Sequence, residues 1–273
     1  MNEEVFDIKK ELNFALSLIK NNNHSGAIKI YEKILQKNLE NFEANSNLGM
    51  LYAQNNNLAK AEKHLNEAIK IEPKNPYALN NLASILIRLG KNHESIKYSK
   101  NAINLKQDFS LAYNNLGLAQ QNLSKFDDAK KNFLKAIDNE KTNVFPYYNL
   151  ARLYETLNDL KNSELYYLKS IEINSKFFSS YNNIMNLYER TNEDNKLLSI
   201  IERSEKIFTN NFSIKLFKGK LQFKSKLYNE AVSNLKSFNF DKNNFSKESI
   251  RCNILANSYD GISKFNEAFK YFN

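Results

Sequence analysis

The sequence predicts an all-α fold, a solenoid of short helical hairpins, and three observations predict it. An Asn recurs every thirty-four residues, at Asn13, Asn47, Asn81, Asn115, Asn149 and Asn183. Each is followed by a large apolar residue: Phe14, Leu48, Leu82, Leu116, Leu150 and Ile184. Within one period the apolar residues fall at i, i+3, i+4 and i+7, the stripe of an amphipathic helix. Finally, 6 Gly and 3 Pro in 273 residues are too few for the many turns of a β-sandwich or barrel. Neither helix of a period could bury its stripe alone, so stability must come from stacking neighbouring units.

The period marks seven units, 8–41, 42–75, 76–109, 110–143, 144–177, 178–211 and 212–248, and a partial unit 249–273. In 8–41, Ala15 and Ala27 are the two small residues that let a pair of helix backbones approach. Unit 42–75 repeats them as Gly49 and Ala61, and adds Leu48, Tyr52, Ala68 and Pro73. In 76–109, Leu79, Leu82, Ala83 and Leu86 form the first stripe. Gly90-Lys91-Asn92 breaks that run, and Ser95, Ile96, Ser99 and Ala102 form the second. Unit 110–143 carries Tyr113, Leu116-Gly117, Phe126, Ala129, Phe133 and Ala136, and 144–177 carries Leu150-Ala151 and Ser163. In 178–211, Met185 and Leu197 stand where small residues are expected. Unit 212–248 has Lys218 in place of a core leucine and three extra residues around Asp241-Lys242-Asn243-Asn244. The partial unit carries Leu255-Ala256, Tyr259 and Ala268 and stops inside its second helix. Phe265, Phe269 and Phe272 are therefore expected to stay partly uncovered, to be met by more chain, a partner or self-association.

These residues resemble the tetratricopeptide repeat family, most closely in 42–75 and 110–143, and the resemblance runs from residue 8 to residue 273. It implies a right-handed superhelix whose first helices line a concave groove, and a role in protein–protein interaction.

Counting each unit from its first residue, the buried stripe of the first helix is positions four, seven, eight and eleven. At about 100° per residue, position six lies about 150° from the centre of that stripe, beside positions two, nine and thirteen. The resemblance puts those positions in the groove, with Asn13, Asn47, Asn81, Asn115, Asn149 and Asn183 as a ladder of amides. Each amide offers a donor and an acceptor, which suits an extended peptide backbone. The same Asn series also reads as bonds between adjacent units, and both readings stand at this point. Asn makes up about one residue in six of the chain, a background to discount. On the same face are Tyr77, Ser84, Arg88, Phe145, Arg152, Asn186, Arg190, Lys220 and Lys224, with Tyr148 as a further aromatic anchor beside Tyr77 and Phe145. The lysine and asparagine pattern of chaperone-binding members of the family is absent.

The chemistry of the chain argues for binding. His24, His64 and His93 lie in different units without metal-ligand spacing and read as helix-surface residues, so no metal or other cofactor is implied. Cys252 falls on a core-facing position, and no phosphate loop or nucleophile elbow occurs, so no enzyme activity is expected within 1–273. The net charge is +9, of which +6 lies in residues 212–273. There Lys215, Lys218, Lys220, Lys224 and Lys226 are split between two faces, a poor phosphate track, which disfavours nucleic acid. No apolar run approaches the length of a membrane span. A single cysteine and an opening Met1-Asn2-Glu3-Glu4 point to the cytoplasm.

The expected function is therefore a scaffold that holds an extended peptide or a partner helix in the groove. The alternative is the substrate-recruiting repeat region of a larger transferase with its catalytic domain beyond residue 273. The closing Lys264–Asn273 segment is similar to the last repeat of bacterial repeat-containing sulfotransferases, and the amide ladder would equally suit an O-linked N-acetylglucosamine-type transferase.

Overall fold

The computed structural model describes residues 7–236 and 245–272. Among them the chain is helical throughout, with no strand. First helices begin every thirty-four residues: α1 Ile8–Lys20, α3 Phe42–Gln54, α5 Pro76–Arg88, α7 Ser110–Asn122, α9 Val144–Thr156, α11 Phe178–Arg190 and α13 Phe212–Lys224. Second helices follow at the same interval: α2 His24–Lys37, α4 Leu58–Ile71, α6 Asn92–Leu105, α8 Phe126–Asn139, α10 Leu160–Ile173, α12 Asp194–Glu205 and α14 Tyr228–Lys236. A last hairpin comprises α15 Phe245–Gly261 and α16 Phe265–Phe272. The Asp241–Asn244 insertion expected in the seventh unit lies outside the described residues.

The turn inside each hairpin has a local cause. Asn22, Asn56, Gly90, Ser124, Asn158, Asn192 and Lys226, thirty-four residues apart, all have positive φ between 57° and 76°. This left-handed conformation is open to Gly and tolerated by Asn, but costs most other residues about 1–2 kcal/mol. Asn also caps the helices that follow: Asn23 accepts from Gly26 N, Asn41 from Ala44 N and Asn57 from Lys60 N. Much of the asparagine content is thus turn and cap chemistry. Ser124→Gly is expected to raise stability by about 0.5–1 kcal/mol and Gly90→Ala to lower it by about 1 kcal/mol. Urea melts followed by circular dichroism check both signs.

The chain divides into two compact units, Met1–Leu153 and Tyr154–Asn273. In each, a helix packs against helices one or two places along the chain. The core of the first holds Tyr31, Ile34, Leu48, Leu65, Leu82, Leu86 and Phe133, all closed to solvent. The small positions do the steric work expected of them: Ser95 Oγ donates to Ala83 O at 2.9 Å, joining the two helices of the third hairpin. In some hairpins the residues twelve apart are matched in kind. Tyr52 stacks on His64 with ring centroids 5.6 Å apart, and Asn132 donates to Gln120 at 2.7 Å.

In the second unit Tyr167, Tyr181, Ile184, Ile201, Leu235 and Leu255 are fully buried. Met185 and Leu197, at positions expected to be small, are buried as well. Tyr154 stacks on Tyr166 at 5.6 Å, another match across a hairpin. Lys218, standing for a core leucine, is half-buried and reaches Glu205 at 2.8 Å. A charge leaving water needs such a partner, which the neighbouring helix supplies. Cys252 is half-buried with its Sγ 3.6 Å from Glu248. Burial, then the Glu248 carboxylate, push its thiol up, so it packs in its protonated form. Phe265 and Phe269 are 64% and 68% exposed, while the Phe272 side chain lies outside the described residues.

Candidate functional site

Periodicity puts the side chains of positions two, nine and thirteen on the face of the first helices. In the first compact unit positions two and nine carry apolar side chains interspersed with Lys9, Glu43, Ser84 and Arg152. Leu16, Met50, Tyr77, Leu111 and Phe145 are all exposed there, between 36% for Met50 and 54% for Tyr77. Leu16, Met50 and Leu111 escaped the sequence reading. Their signal was present, as apolar residues lying off the stripe of positions four, seven, eight and eleven. Tyr77 is held by two contacts. Its ring meets Phe109 edge-on at 5.2 Å, and Lys106 Nζ donates to its hydroxyl at 3.0 Å. Arg152 is exposed at position nine, its guanidinium 5.8 Å from the ring of half-buried Tyr148. Ser84 is half-buried.

The asparagine ladder is mostly turned into the seam between repeats. Asn13 is exposed and Asn47, Asn81 and Asn183 are half-buried, whereas Asn115 and Asn149 are 8% and 6% exposed. Asn115 Nδ2 donates to Asn80 Oδ1 at 2.9 Å, and Asn149 Nδ2 to Asn114 Oδ1 at 2.8 Å. In each case the acceptor is position five of the preceding first helix. Where a tyrosine ends in the seam, the amide turns to it instead: Asn183 Nδ2 donates to Tyr167 Oη at 3.1 Å. Asn47 lies beside Tyr31, whose phenol burial pushes up to about 12 against the opposing pull of that amide. Position six lies far from the stripe that faces the partner helix, but the partner helix is only one neighbour. A first helix also meets the first helices of adjacent repeats, and that contact covers position six. Asn80 and Asn114 were overlooked, although the repeated doublets Asn80-Asn81 and Asn114-Asn115 could have exposed them.

Position thirteen reaches back to the preceding turn. Arg88 donates to Ala53 O at 2.9 Å and Asn56 Oδ1 at 3.0 Å. In the second unit Arg190 pairs with Glu155 at 3.0 Å, and Lys224 with Asp194 at 2.7 Å and Asn192 at 3.1 Å. Lys220 pairs with Glu189 at 3.0 Å and lies 5.5 Å from the Phe217 ring. Lys218, Lys220 and Lys224 therefore each have a carboxylate partner, which weakens any phosphate track. Asn186 is exposed and donates to Asn182 O at 2.8 Å. With Ser213, Phe217, Lys220 and Lys247 these two asparagines line a cleft of about 220 Å³.

Among the described residues no cluster of His, Cys, Asp and Glu could hold a metal ion, and no helix is long and apolar enough to cross a membrane. His93 is exposed and His24 half-exposed, but His64, read as a surface residue, is packed against Tyr52.

Two family models described as tetratricopeptide repeat match the chain, one over 18–85 and the other over 76–109, 111–143 and 146–177. No curated protein matches. Among solved structures, a tetratricopeptide repeat protein from Parabacteroides merdae is 16% identical with a TM-score of 0.63, covering 92% of this chain and 98% of its own. PilW, described as a widely conserved type IV pilus biogenesis factor, is 16% identical with a TM-score of 0.68, over 76% of this chain and 96% of its own. YrrB, described as a repeat protein of this kind with an unusual peptide-binding site, is 20% identical with a TM-score of 0.52, over 65% and 92%. At these identities the likeness is one of fold.

Proposed function

Since the chain belongs to the tetratricopeptide repeat family and so to a class of protein-interaction scaffolds, we propose that its first-helix face holds an extended peptide or a partner helix. The observation that carries this reading is the run of exposed apolar side chains at positions two and nine, Leu16, Met50, Tyr77, Leu111 and Phe145. Fixed helices hold these side chains in place before binding, so a ligand gains their burial without the cost of ordering a loop. Arg152 and Tyr148 flank the run, and Asn13 and Asn81 offer polar edges to a bound backbone, while Asn47 and Asn183 face seam tyrosines. Arg88 serves as a rim charge that also ties two repeats together, and Arg190 ties repeats within the second unit. In this proposal Asn115 and Asn149 hold repeats in register and do not meet the ligand. A cytoplasmic location belongs to the same proposal and rests on the single cysteine. If the chain serves as the recruiting region of a longer transferase, the same face does the recruiting.

A peptide-library pull-down beside the Asn115→Ala/Asn149→Ala variant tests the division of labour. Asn115→Ala and Asn149→Ala leave Asn80 and Asn114 without their donors, at about 1 kcal/mol or more each. The expected result is a lower melting temperature with the bound peptides retained. Loss of peptides at an unchanged melting temperature would return the ladder to the binding surface.

A further inference from the structure

Between the second helices α2 and α4 lies a cleft of about 590 Å³, with Asn45 and Tyr52 of α3 between them. It is distinct from the first-helix face and its polar groups are unusually well defined. Asn45 Nδ2 donates to the carbonyls of Leu39 and Asn41, each at 3.1 Å. That fixes its Oδ1 as the atom 3.0 Å from His64 Nδ1. Nδ1 must therefore carry a proton and donate, and Nε2 is left without a partner among the described residues.

The charges around the imidazole are unevenly spent. On α2, the Glu32 carboxylate accepts from the Tyr52 hydroxyl at 2.5 Å. On α4, Glu67 is paired with Lys70 at 2.7 Å. Lys60 and Lys63, also on α4, have no carboxylate partner among the described residues, and Lys60 Nζ sits 4.9 Å from the Tyr52 ring. Both acids are engaged and both ammonium groups are open. Leu39 borders the cleft and is 79% exposed.

We propose that this cleft is a second binding site, which takes an acidic residue flanked by aliphatic side chains on a partner's segment. The carboxylate meets Lys60 and Lys63, an aliphatic neighbour covers Leu39, and the His64 ring faces the carboxylate with Nε2. Burial first, then the Lys63 ammonium, hold the empty imidazole below its ordinary range, with Glu32 and Glu67 working the other way and Lys60 adding to Lys63. An arriving carboxylate favours the protonated ring, so binding takes up a proton from solvent onto Nε2. Affinity then rises as pH falls from neutral towards the imidazole midpoint.

The probes are acetyl-Leu-Glu-Leu-amide and its neutral counterpart acetyl-Leu-Gln-Leu-amide, titrated into the full chain. Proton NMR of the imidazoles provides the readout. The chain has 3 histidines, so His64→Gln identifies the His64 resonance. The Glu peptide is expected to shift that resonance, to raise its titration midpoint, and to bind about fivefold more tightly than the Gln peptide. Lys60→Met/Lys63→Met removes the difference between the peptides. The Tyr77→Ser/Leu111→Ser/Phe145→Ser variant retains it, which separates this site from the first-helix face. Equal affinity for the two peptides, or an unmoved His64 resonance at about 10 mM peptide, overturns the proposal.

Discussion

Gly117→Leu is expected to lower the stability of the chain by about 3 kcal/mol or more. A Cβ alone at Gly117 would fall 2.7 Å from Phe133 Cε1, 2.8 Å from Cδ1 and 3.2 Å from the Ala129 carbonyl. Phe133 is fully buried and cannot swing aside, and the Ala129 carbonyl belongs to the helix backbone. The new side chain must part α7 from α8, which no local rotamer change can avoid. Phe133→Ala by itself leaves a cavity and should cost about 3–5 kcal/mol. The two changes act on one volume, so the double variant should be more stable than the sum predicts, by about 1–3 kcal/mol. Urea denaturation of the four proteins measures this. Additive losses would mean that the close approach of α7 and α8 is not what the glycine serves.

Replacing the apolar run is expected to abolish binding with little effect on folding. In the Tyr77→Ser/Leu111→Ser/Phe145→Ser variant three exposed side chains are lost, and each exposed anchor that a ligand buries contributes about 1–2 kcal/mol. The combined loss corresponds to a drop in affinity of about 100-fold or more for peptides recovered with the native chain. Folding should change by only about 1 kcal/mol, chiefly through the Tyr77 contacts with Phe109 and Lys106. Fluorescence polarisation with a recovered peptide, beside a thermal melt, separates the two effects. Undiminished affinity would remove the first-helix face from the proposed function.

The fold was legible because the period reaches every level of structure. One thirty-four-residue interval carries the apolar stripes, the helix starts and the left-handed turn residue from Asn22 to Lys226. The site was legible only in part. Tyr77 and Phe145 are exposed as the wheel implies, but Asn115 and Asn149 are buried. A wheel describes one helix against one partner, while a first helix here is enclosed on several sides. Pairings such as Lys218 with Glu205 or His64 with Tyr52 depend on side-chain reach across helices, which spacing along the chain does not encode.

The bonds between repeats reach back a single step: Asn115 to Asn80, Asn149 to Asn114, Arg88 to Ala53 and Arg190 to Glu155. Each junction is therefore complete once two successive repeats are present, and none depends on how many others the chain contains. Duplication or loss of one whole period would recreate the same junctions at new addresses. The number of repeats is thus free to drift in evolution while the rules for joining them stay fixed.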